Sequence, residues 1–347
     1  MPSLSVVIVT HNSRAALGTT LPPLAAQLRD GDELIVVDNA SADETPAAVG
    51  ELAPAATLIE TGENRGFAAA CNVGAAQATG ELLVLLNPDA VPQPGWRDAI
   101  ELPLLDGREW AAWQALVTAD GGRMLNTRGG VIHFTGIAWA GGAGRALEEL
   151  PASEPVALDD PGFVSGACLA LPRETYLEAG GLAEEFFLYQ EDVDLSLRLR
   201  LAGGQLGVEP AAQVVHDYEF AKGEAKWRYL ERNRWATLIR TYPAGLLAVV
   251  MPALVLTELA LIPVSIAGGW FPQKLRAWAE LWTWLPRLVR ERRTIQAHRR
   301  VSVKDFAEAF TAELDSSYVG RAGRSRVLGL LLRSYWSLAR RLLGARG

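Results

Sequence analysis

The sequence predicts an α/β protein with a mostly parallel central sheet. Short β-branched apolar runs alternate with helical stretches along the N-terminal third, the pattern of strand–helix–strand units. Polar residues gather where those runs end, and open α/β sheets bind ligands at the carboxyl ends of their strands. A long apolar segment after residue 243, followed by basic, tryptophan-bearing sequence, predicts an added helical region.

Residues 5–10 form the first apolar run, which ends in His11-Asn12-Ser13. A helical stretch follows to about residue 27. Residues 33–37 form the second run, ending at Asp38-Asn39, and residues 57–60 a short third. Residues 66–78 read as a small-residue helix and 81–86 as a strand ending at Asn87-Pro88-Asp89. No G-x-G-x-x-G follows the first run, so a dinucleotide site of that kind is not expected. Residues 107–160, rich in Gly and Trp, read as loops and short strands over the site. Residues 161–220 hold a second cluster of motifs, and 227–240 read as a helix.

The 347 residues allow two domains, or one large domain plus an appendage. Two distant cysteines, Cys71 and Cys168, offer neither a disulfide framework nor a C-x-x-C site, which fits a reducing compartment. The apolar run at the start is short and has no basic residue before it, so it reads as a buried strand rather than a signal peptide. The net charge of −7 hides an asymmetry: residues 1–273 carry −17 and residues 274–347 carry +10. A basic tail bearing Trp278, Trp282, Trp284 and Trp336 suits an anionic membrane surface. No nucleic-acid-binding motif accompanies that charge, so nucleic acid is not an expected partner.

Residues 243–271 are almost wholly apolar, with Glu258 as the only charge. The length could span a bilayer, yet Pro252, Pro263 and Gly268-Gly269 are expected to break it, and a central charge is costly in lipid. A re-entrant hairpin and a true span both stay open. Leu275, Trp278, Trp282, Leu285 and Leu288 then recur at helical spacing among basic residues, as in an interfacial helix or one packed on the catalytic domain.

Several carboxylates point to chemistry. Asp89 at the tip of a buried strand could ligate a hard divalent cation, although N-P-D is also a good turn. Glu191, Asp192 and Asp194 crowd ahead of a helical run. Capping is the ordinary role there, but mutual repulsion and partial burial would raise one pKa toward that of a useful base. His216 ends another apolar run and suits a metal or phosphate role, or a structural one. Asp38 belongs to an Asx turn and could also accept the imide N–H of a pyrimidine. Gly62 to Phe67, then Asn72, resembles a loop opening a helix against a ligand, with a plain helix start as the ordinary reading.

The order of the segments is more specific than any one of them. V-V-I-V-T-H-N-S, V-V-D-N-A-S-A-D, E-N-R-G-F-A-A-A-C-N-x-G, L-L-N-P-D-A, F-V-S-G-A-C-L-A-L-P-R, F-L-Y-Q-E-D-V-D-L-S-L-R and V-V-H occur in one chain. Together they resemble the family 2 inverting glycosyltransferases, in the rhamnosyltransferase-like branch, over about residues 3–240. The resemblance implies the GT-A nucleotide-diphospho-sugar transferase fold for 1–240, followed by a helical, membrane-associating region at 241–347.

The resemblance also implies roles. Thr10, Asn12 and Asp38 line the nucleotide pocket, with Asn64 and Arg65 beside it. Asn87-Pro88-Asp89 stands where the family carries Asp-x-Asp, with Asn87 replacing the first carboxylate. Asp89 and His216 become ligands for Mg²⁺ or Mn²⁺. Asp192 matches the catalytic base, with Glu191 as the second candidate. Lys226, Arg232 and Asn233 fall where a basic stretch approaches the diphosphate. The expected donor is dTDP-rhamnose, with a UDP-sugar next. The expected acceptor is a polyprenyl-linked saccharide at the cytoplasmic face of the cell membrane, in cell-envelope polysaccharide synthesis.

Two departures argue for transfer of one or a few sugars rather than polymer extrusion. Glu231-Arg232-Asn233-Arg234-Trp235 has Glu where processive synthases carry the Gln of Q-x-x-R-W, and their multiple spans are missing. A sugar-1-phosphate nucleotidyltransferase would need a Gly-rich basic loop after the first strand, which His11-Asn12-Ser13 does not supply. A non-catalytic membrane-docking protein would keep the tail but has no need of Asp89, Asp192 and His216.

Overall fold

A computed structural model describes residues 1–151, 153–217, 223–314 and 325–344. Of the basic tail, Arg321, Arg324 and Arg346 lie outside the described residues. In chain order the first elements are β1 (Leu4–Thr10), α1 (Arg14–Ala25), β2 (Glu33–Asp38), α2 (Thr45–Leu52), β3 (Thr57–Glu60) and α3 (Phe67–Gln77). Next come β4 (Leu82–Leu86), β5 (Val91–Pro92), α4 (Trp96–Ile100), α5 (Leu102–Leu105), β6 (Trp110–Ala119) and β7 (Met124–Thr127). Then follow β8 (Gly130–His133), β9 (Ala138–Ala140), β10 (Cys168–Pro172), α6 (Arg173–Glu178), α7 (Glu191–Leu201) and β11 (Gln205–Val215). The chain closes with α8 (Ala225–Thr241), α9 (Ala244–Ala267), α10 (Phe271–Ala297), α11 (Val303–Ala307), β12 (Phe310–Thr311) and α12 (Arg326–Gly344).

The chain divides into two compact units, which are described separately. The first comprises Met1–Gly130, Ala140–Leu199 and Gly204–Phe220; the second comprises Val131–Trp139, Arg200–Gly203 and Ala221–Gly347.

The first unit holds a nine-stranded sheet in the order β3-β2-β1-β4-β10-β6-β11-β5, with β7 paired to β6. Strands β3, β2, β1 and β4 run parallel, as the alternating pattern predicts, and β11 is parallel to β6. β10 runs antiparallel to both β4 and β6. Every position of β1 and β4 is buried, which is why both read as continuous apolar runs: a strand covered on both faces has no solvent side to alternate with. Val6, Val84 and Trp113 belong to the core on one face, and Val7, Leu83 and Leu195 to the core on the other. Each such buried aliphatic side chain contributes roughly 1.5–3 kcal/mol.

The expectation of loops and short strands across 107–160 holds for β7, β8 and β9 and is corrected at β6. This ten-residue strand lies between β10 and β11, inside the sheet. Its run W-A-A-W-Q-A-L-V-T-A is buried over residues 112–118 and therefore lacks the two-residue period that would announce it.

In the second unit α8 and α10 pack along each other, and β12, β8 and β9 form a small sheet. α9 is a single 24-residue helix, not a segment broken at its prolines. Pro252 removes the backbone donor that would meet the Ala248 carbonyl, yet α9 continues through it; the neighbouring Val249 carbonyl accepts the Tyr335 hydroxyl at 2.5 Å. The chain turns instead at Gly268-Gly269, where Gly269 has φ +75. Glu258 is not a bare charge. Its carboxylate meets Lys274 at 2.8 Å, pairs with Arg234 and accepts the Trp235 indole N–H at 3.0 Å. Lys274 also pairs with Glu231, and both of those side chains are fully buried. Pairing of this kind is what allows charges inside an apolar helical layer.

Candidate active site

The carboxyl ends of β1, β2 and β4 and the N-terminus of α7 meet through a chain of hydrogen bonds. Thr10 and Asp38 sit opposite each other at the ends of β1 and β2, and the Thr10 hydroxyl donates to Asp38 at 3.0 Å. Asp38 also accepts the backbone N–H of Ser41 at 2.9 Å and the Ser41 hydroxyl at 2.5 Å. Asn12, at φ +54, accepts the N–H of Ala42 at 2.7 Å and donates its own N–H to the Ser41 hydroxyl at 2.9 Å. The two loops are thus stitched together, with Asp38 buried and Asn12 exposed.

Asn39 links that pair of loops to the next. Its amide donates to the Asn64 side chain at 3.0 Å and accepts the Arg65 N–H at 2.9 Å. Asn64 in turn accepts the N–H of Gly66 at 3.0 Å. Gly66 opens α3, and the Phe67 N–H donates to the carbonyl of Phe187 at 2.7 Å.

A Cβ on Gly66 would lie 2.6 Å from that carbonyl oxygen and 2.7 Å from the Phe187 Cα, and Gly66 has φ +83. Gly66→Ala should therefore destabilise the fold by about 2 kcal/mol or more, since backbone overlap adds to the left-handed strain. It should also depress turnover, because Phe187 precedes the catalytic candidates by a few residues. A thermal melt and a rate measurement check both; wild-type values in each would mean that the contact is slack.

Phe187, Tyr189 and Gln190 all have positive φ, at +63, +71 and +68. Non-glycine residues held there cost on the order of 1–3 kcal/mol each and tend to collect at functional sites. They deliver Glu191 and Asp192 to the first turn of α7. One oxygen of Asp192 accepts the Gly166 N–H at 3.1 Å and the other its neighbour Val193 N–H at 2.8 Å. Burial raises the Asp192 pKa against the pull of these two donors. Burial first, and then the adjacent Asp192 charge, raises Glu191 as well.

The two carboxylates differ in access. Glu191 is 6% exposed and Asp192 half-buried. Glu191 also raises the pKa of the buried Cys71 of α3, after burial itself, so its charge is felt in the core. Asp194 is committed elsewhere, 2.7 Å from Arg198 and fully buried.

Gly166 ties Asp192 to the last group. Its neighbour Ala167 accepts the N–H of Asn87 at 3.0 Å, which sets the Asn87-Pro88-Asp89 tip beside Asp192's anchor. Asp89, 40% exposed, lies 3.0 Å from Nε2 of the buried His216. His216 is held at the end of β11 by its N–H to Thr118 at 2.8 Å and by the Asn126 amide on its carbonyl at 2.7 Å.

Thr10, Asn12, Asp38, Asn64, Arg65, Asn87 and Asp192 are therefore joined by these bonds and the short stretches of backbone between them, Asp89 meets His216, and Glu191 adjoins them only through the chain. Asn39 and Gly166, which join the parts, were not singled out in the sequence; the D-N pair and the S-G pair were the available signals. Arg232 and Asn233 are engaged in the other unit. Arg232 reaches Glu280 at 2.8 Å and Asn233 at 3.0 Å and lies over the Trp284 ring at 4.2 Å.

Residues 5–130 match the family model described as Glycosyl transferase family 2. N-acetylglucosaminyl-diphospho-decaprenol L-rhamnosyltransferase of Mycobacterium tuberculosis is 30% identical over 264 residues, covering 68% of this chain and 83% of that protein. The chain belongs to glycosyltransferase family 2, in its rhamnosyltransferase-like branch. The O-antigen biosynthesis protein RfbC of Myxococcus xanthus is 28% identical over 223 residues, 62% of this chain and 17% of that one.

Two solved structures share the fold. GalNAc-T7 with UDP, GalNAc and Mn²⁺ superposes with a TM-score of 0.57 at 16% identity, over 72% of this chain and 50% of that one. S. aureus TarS 1–349 does so with a TM-score of 0.52 at 14% identity, over 99% of this chain and 91% of that one. The glycosyltransferase thus has the GT-A fold with a C-terminal helical region.

Asp89 and His216 offer a metal one carboxylate oxygen and one imidazole nitrogen. Among the described residues no group of three or more His, Cys, Asp and Glu forms a metal cluster. A hard cation that keeps its waters and takes substrate phosphate oxygens needs no more from the protein. The two side chains of the glycosyltransferase therefore fit a site completed by a diphosphate.

Proposed function

We propose that this glycosyltransferase moves L-rhamnose from dTDP-rhamnose to a polyprenyl-diphosphate-linked saccharide, with inversion, at the cytoplasmic face of the membrane. The observation that carries the mechanism is the placement of Asp192. Its carboxylate is oriented by two backbone N–H groups, its pKa is raised, and it is one short link from the Asp89–His216 pair. The branch of the family and the name of the mycobacterial relative support the donor and the acceptor class.

In this reading Thr10, Asn12, Asp38, Asn64 and Arg65 hold the nucleotide, and Asn87 positions the tip that bears Asp89. Asp192 takes the proton of the acceptor hydroxyl as that oxygen attacks the anomeric carbon. The bond from that carbon to the diphosphate oxygen breaks, and the nucleoside diphosphate leaves from the opposite face. A divalent cation held by Asp89 and His216 would supply neutralisation of the charge that builds on the leaving group. Glu191 is more deeply buried, and burial followed by the Asp192 charge raises its pKa to about 8, which leaves Asp192 as the carboxylate that ionises for the proton transfer.

Residues 1–240 form the catalytic domain in this reading, and residues 241–347 hold it on the membrane. α9 has a mean hydropathy of 2.3 over its most apolar window, with only 28% of that window buried. At 24 residues it is about 36 Å long. One side packs through Leu246, Val250 and Leu254, while Val255, Leu256, Leu259 and Ile266 are 50–66% exposed. A helix with one protein-facing and one bare apolar side suits shallow insertion.

A nucleotide-sugar panel tests the donor. With Mn²⁺ present, dTDP-rhamnose should raise the melting temperature above the shifts given by UDP-glucose or GDP-mannose. A ligand at a hundred times its Kd adds roughly 2.7 kcal/mol. A larger shift with a UDP-sugar would reassign the donor, and no shift with any would sink the nucleotide-pocket reading.

A further inference from the structure

Helix α12 carries features that the proposed reaction does not use. Its inner face is fixed to its own unit. Trp336, Ala339 and Leu343 are buried, and Trp336 stacks on Phe134 with ring centroids 4.9 Å apart. The outer face is apolar and bare. Val327, Leu331, Leu338 and Leu342, with Leu330 beside them, are between 45% and 70% exposed. Their spacing puts them in one stripe along the helix.

Along the same helix opens a cleft of about 520 Å³, lined by Lys304, Arg333, Ser337, Arg340 and Arg341 against Trp336. Lys304 comes from α11 and the rest from α12. Arg333 and Arg340 are two turns apart and share one side of the helix, about 10 Å from each other along the axis. Arg340 meets Glu308 at 3.3 Å in an exposed pair, which holds it weakly. Four cations and a hydroxyl around one cleft select an anion rich in oxygen acceptors, and guanidinium forks match phosphate in particular. The stripe on the same helix selects hydrocarbon. A phospholipid headgroup with its acyl chains presents both.

We propose that α12 is an interfacial helix whose Lys304–Arg333–Arg340–Arg341 cleft seats the phosphate of an anionic lipid. The stripe from Val327 to Leu342 lies among the acyl chains. This rests on the membrane-docking reading above and narrows it to one site.

Flotation of the full-length protein tests it, with vesicles of phosphatidylcholine alone and with added phosphatidylglycerol. Wild type should prefer the anionic vesicles. Arg333→Glu/Arg340→Glu/Arg341→Glu should lower partition onto them by roughly tenfold or more and erase the preference, since each basic residue near such a surface contributes about fivefold. Arg333→Gln/Arg341→Gln should do so in part, with an unchanged melting temperature guarding against misfolding. Leu331→Asp/Leu338→Asp should weaken binding to both vesicle types.

If the triple variant keeps the anionic preference, the cleft assignment is wrong while membrane docking stands. If inorganic phosphate alone releases wild type from the vesicles, the cleft is a free-phosphate site rather than a lipid site. If wild type floats with neither vesicle, the docking reading and this proposal fall together. Sedimentation would then show whether the Leu331–Leu338 stripe joins two copies.

Discussion

Asp192→Asn should lower turnover by roughly 10²–10⁴-fold, the usual range for loss of a general base, while donor affinity stays within about threefold. The amide keeps the shape and can still accept the Gly166 and Val193 N–H bonds, so the loss isolates proton transfer from architecture. The pH profile gives a second reading of the same group. Wild-type kcat/KM should fall on the acid side, because the base works only when deprotonated. The raised Asp192 pKa puts that fall above the ordinary aspartate range. Glu191 and Asp192 influence each other, so the profile reports the pair. For stability the sign is opposite. Acids whose folded pKa is raised favour the fold most below their unfolded pKa, and this stabilisation is lost as pH rises through the folded value. A mutant keeping more than about a third of wild-type turnover would move the role to Glu191.

Asp89→Ala should weaken metal-dependent donor binding by on the order of a hundredfold, since charge neutralisation of this kind contributes several kcal/mol. EDTA should abolish turnover, and Mn²⁺ or Mg²⁺ should restore it. Calorimetry of donor binding with and without EDTA, for both proteins, is the check. Equal affinity in all four cases would leave Asn87-Pro88-Asp89 as a turn that happens to meet His216.

Half of the sheet is legible in the sequence because strand ends there carry polar punctuation. Thr10, Asp38 and Asn87 each stop a buried run, and the structure brings those stops to one side. β6 is hidden for the converse reason. It is apolar without a period, and Gly-rich loops surround it. The prolines of α9 mislead because each removes a single backbone donor while the helix is held by packing to residues remote in sequence, such as Tyr335, whose hydroxyl bonds the Val249 carbonyl 86 residues away. Similarly, E-D-V-D announces three carboxylates but not their fates. Asp194 goes to Arg198 by helix geometry, whereas Glu191 and Asp192 part company only through burial against α3 and the Gly166 loop. Gly166 acts through its backbone N–H, which no side-chain pattern records, and Asn39 through an amide whose partners Asn64 and Arg65 lie 25 or more residues along the chain.

The most direct test is the transfer itself. The full-length enzyme with Mn²⁺, dTDP-rhamnose and a polyprenyl-diphosphate-linked saccharide should yield a lipid heavier by one deoxyhexose by mass spectrometry, with dTDP released in equal amount. Proton NMR of the new linkage should show the anomeric configuration opposite to that of the donor. Release of dTDP with no gain in lipid mass would contradict the acceptor. A product that retains the donor configuration would contradict single displacement by an Asp192-activated hydroxyl.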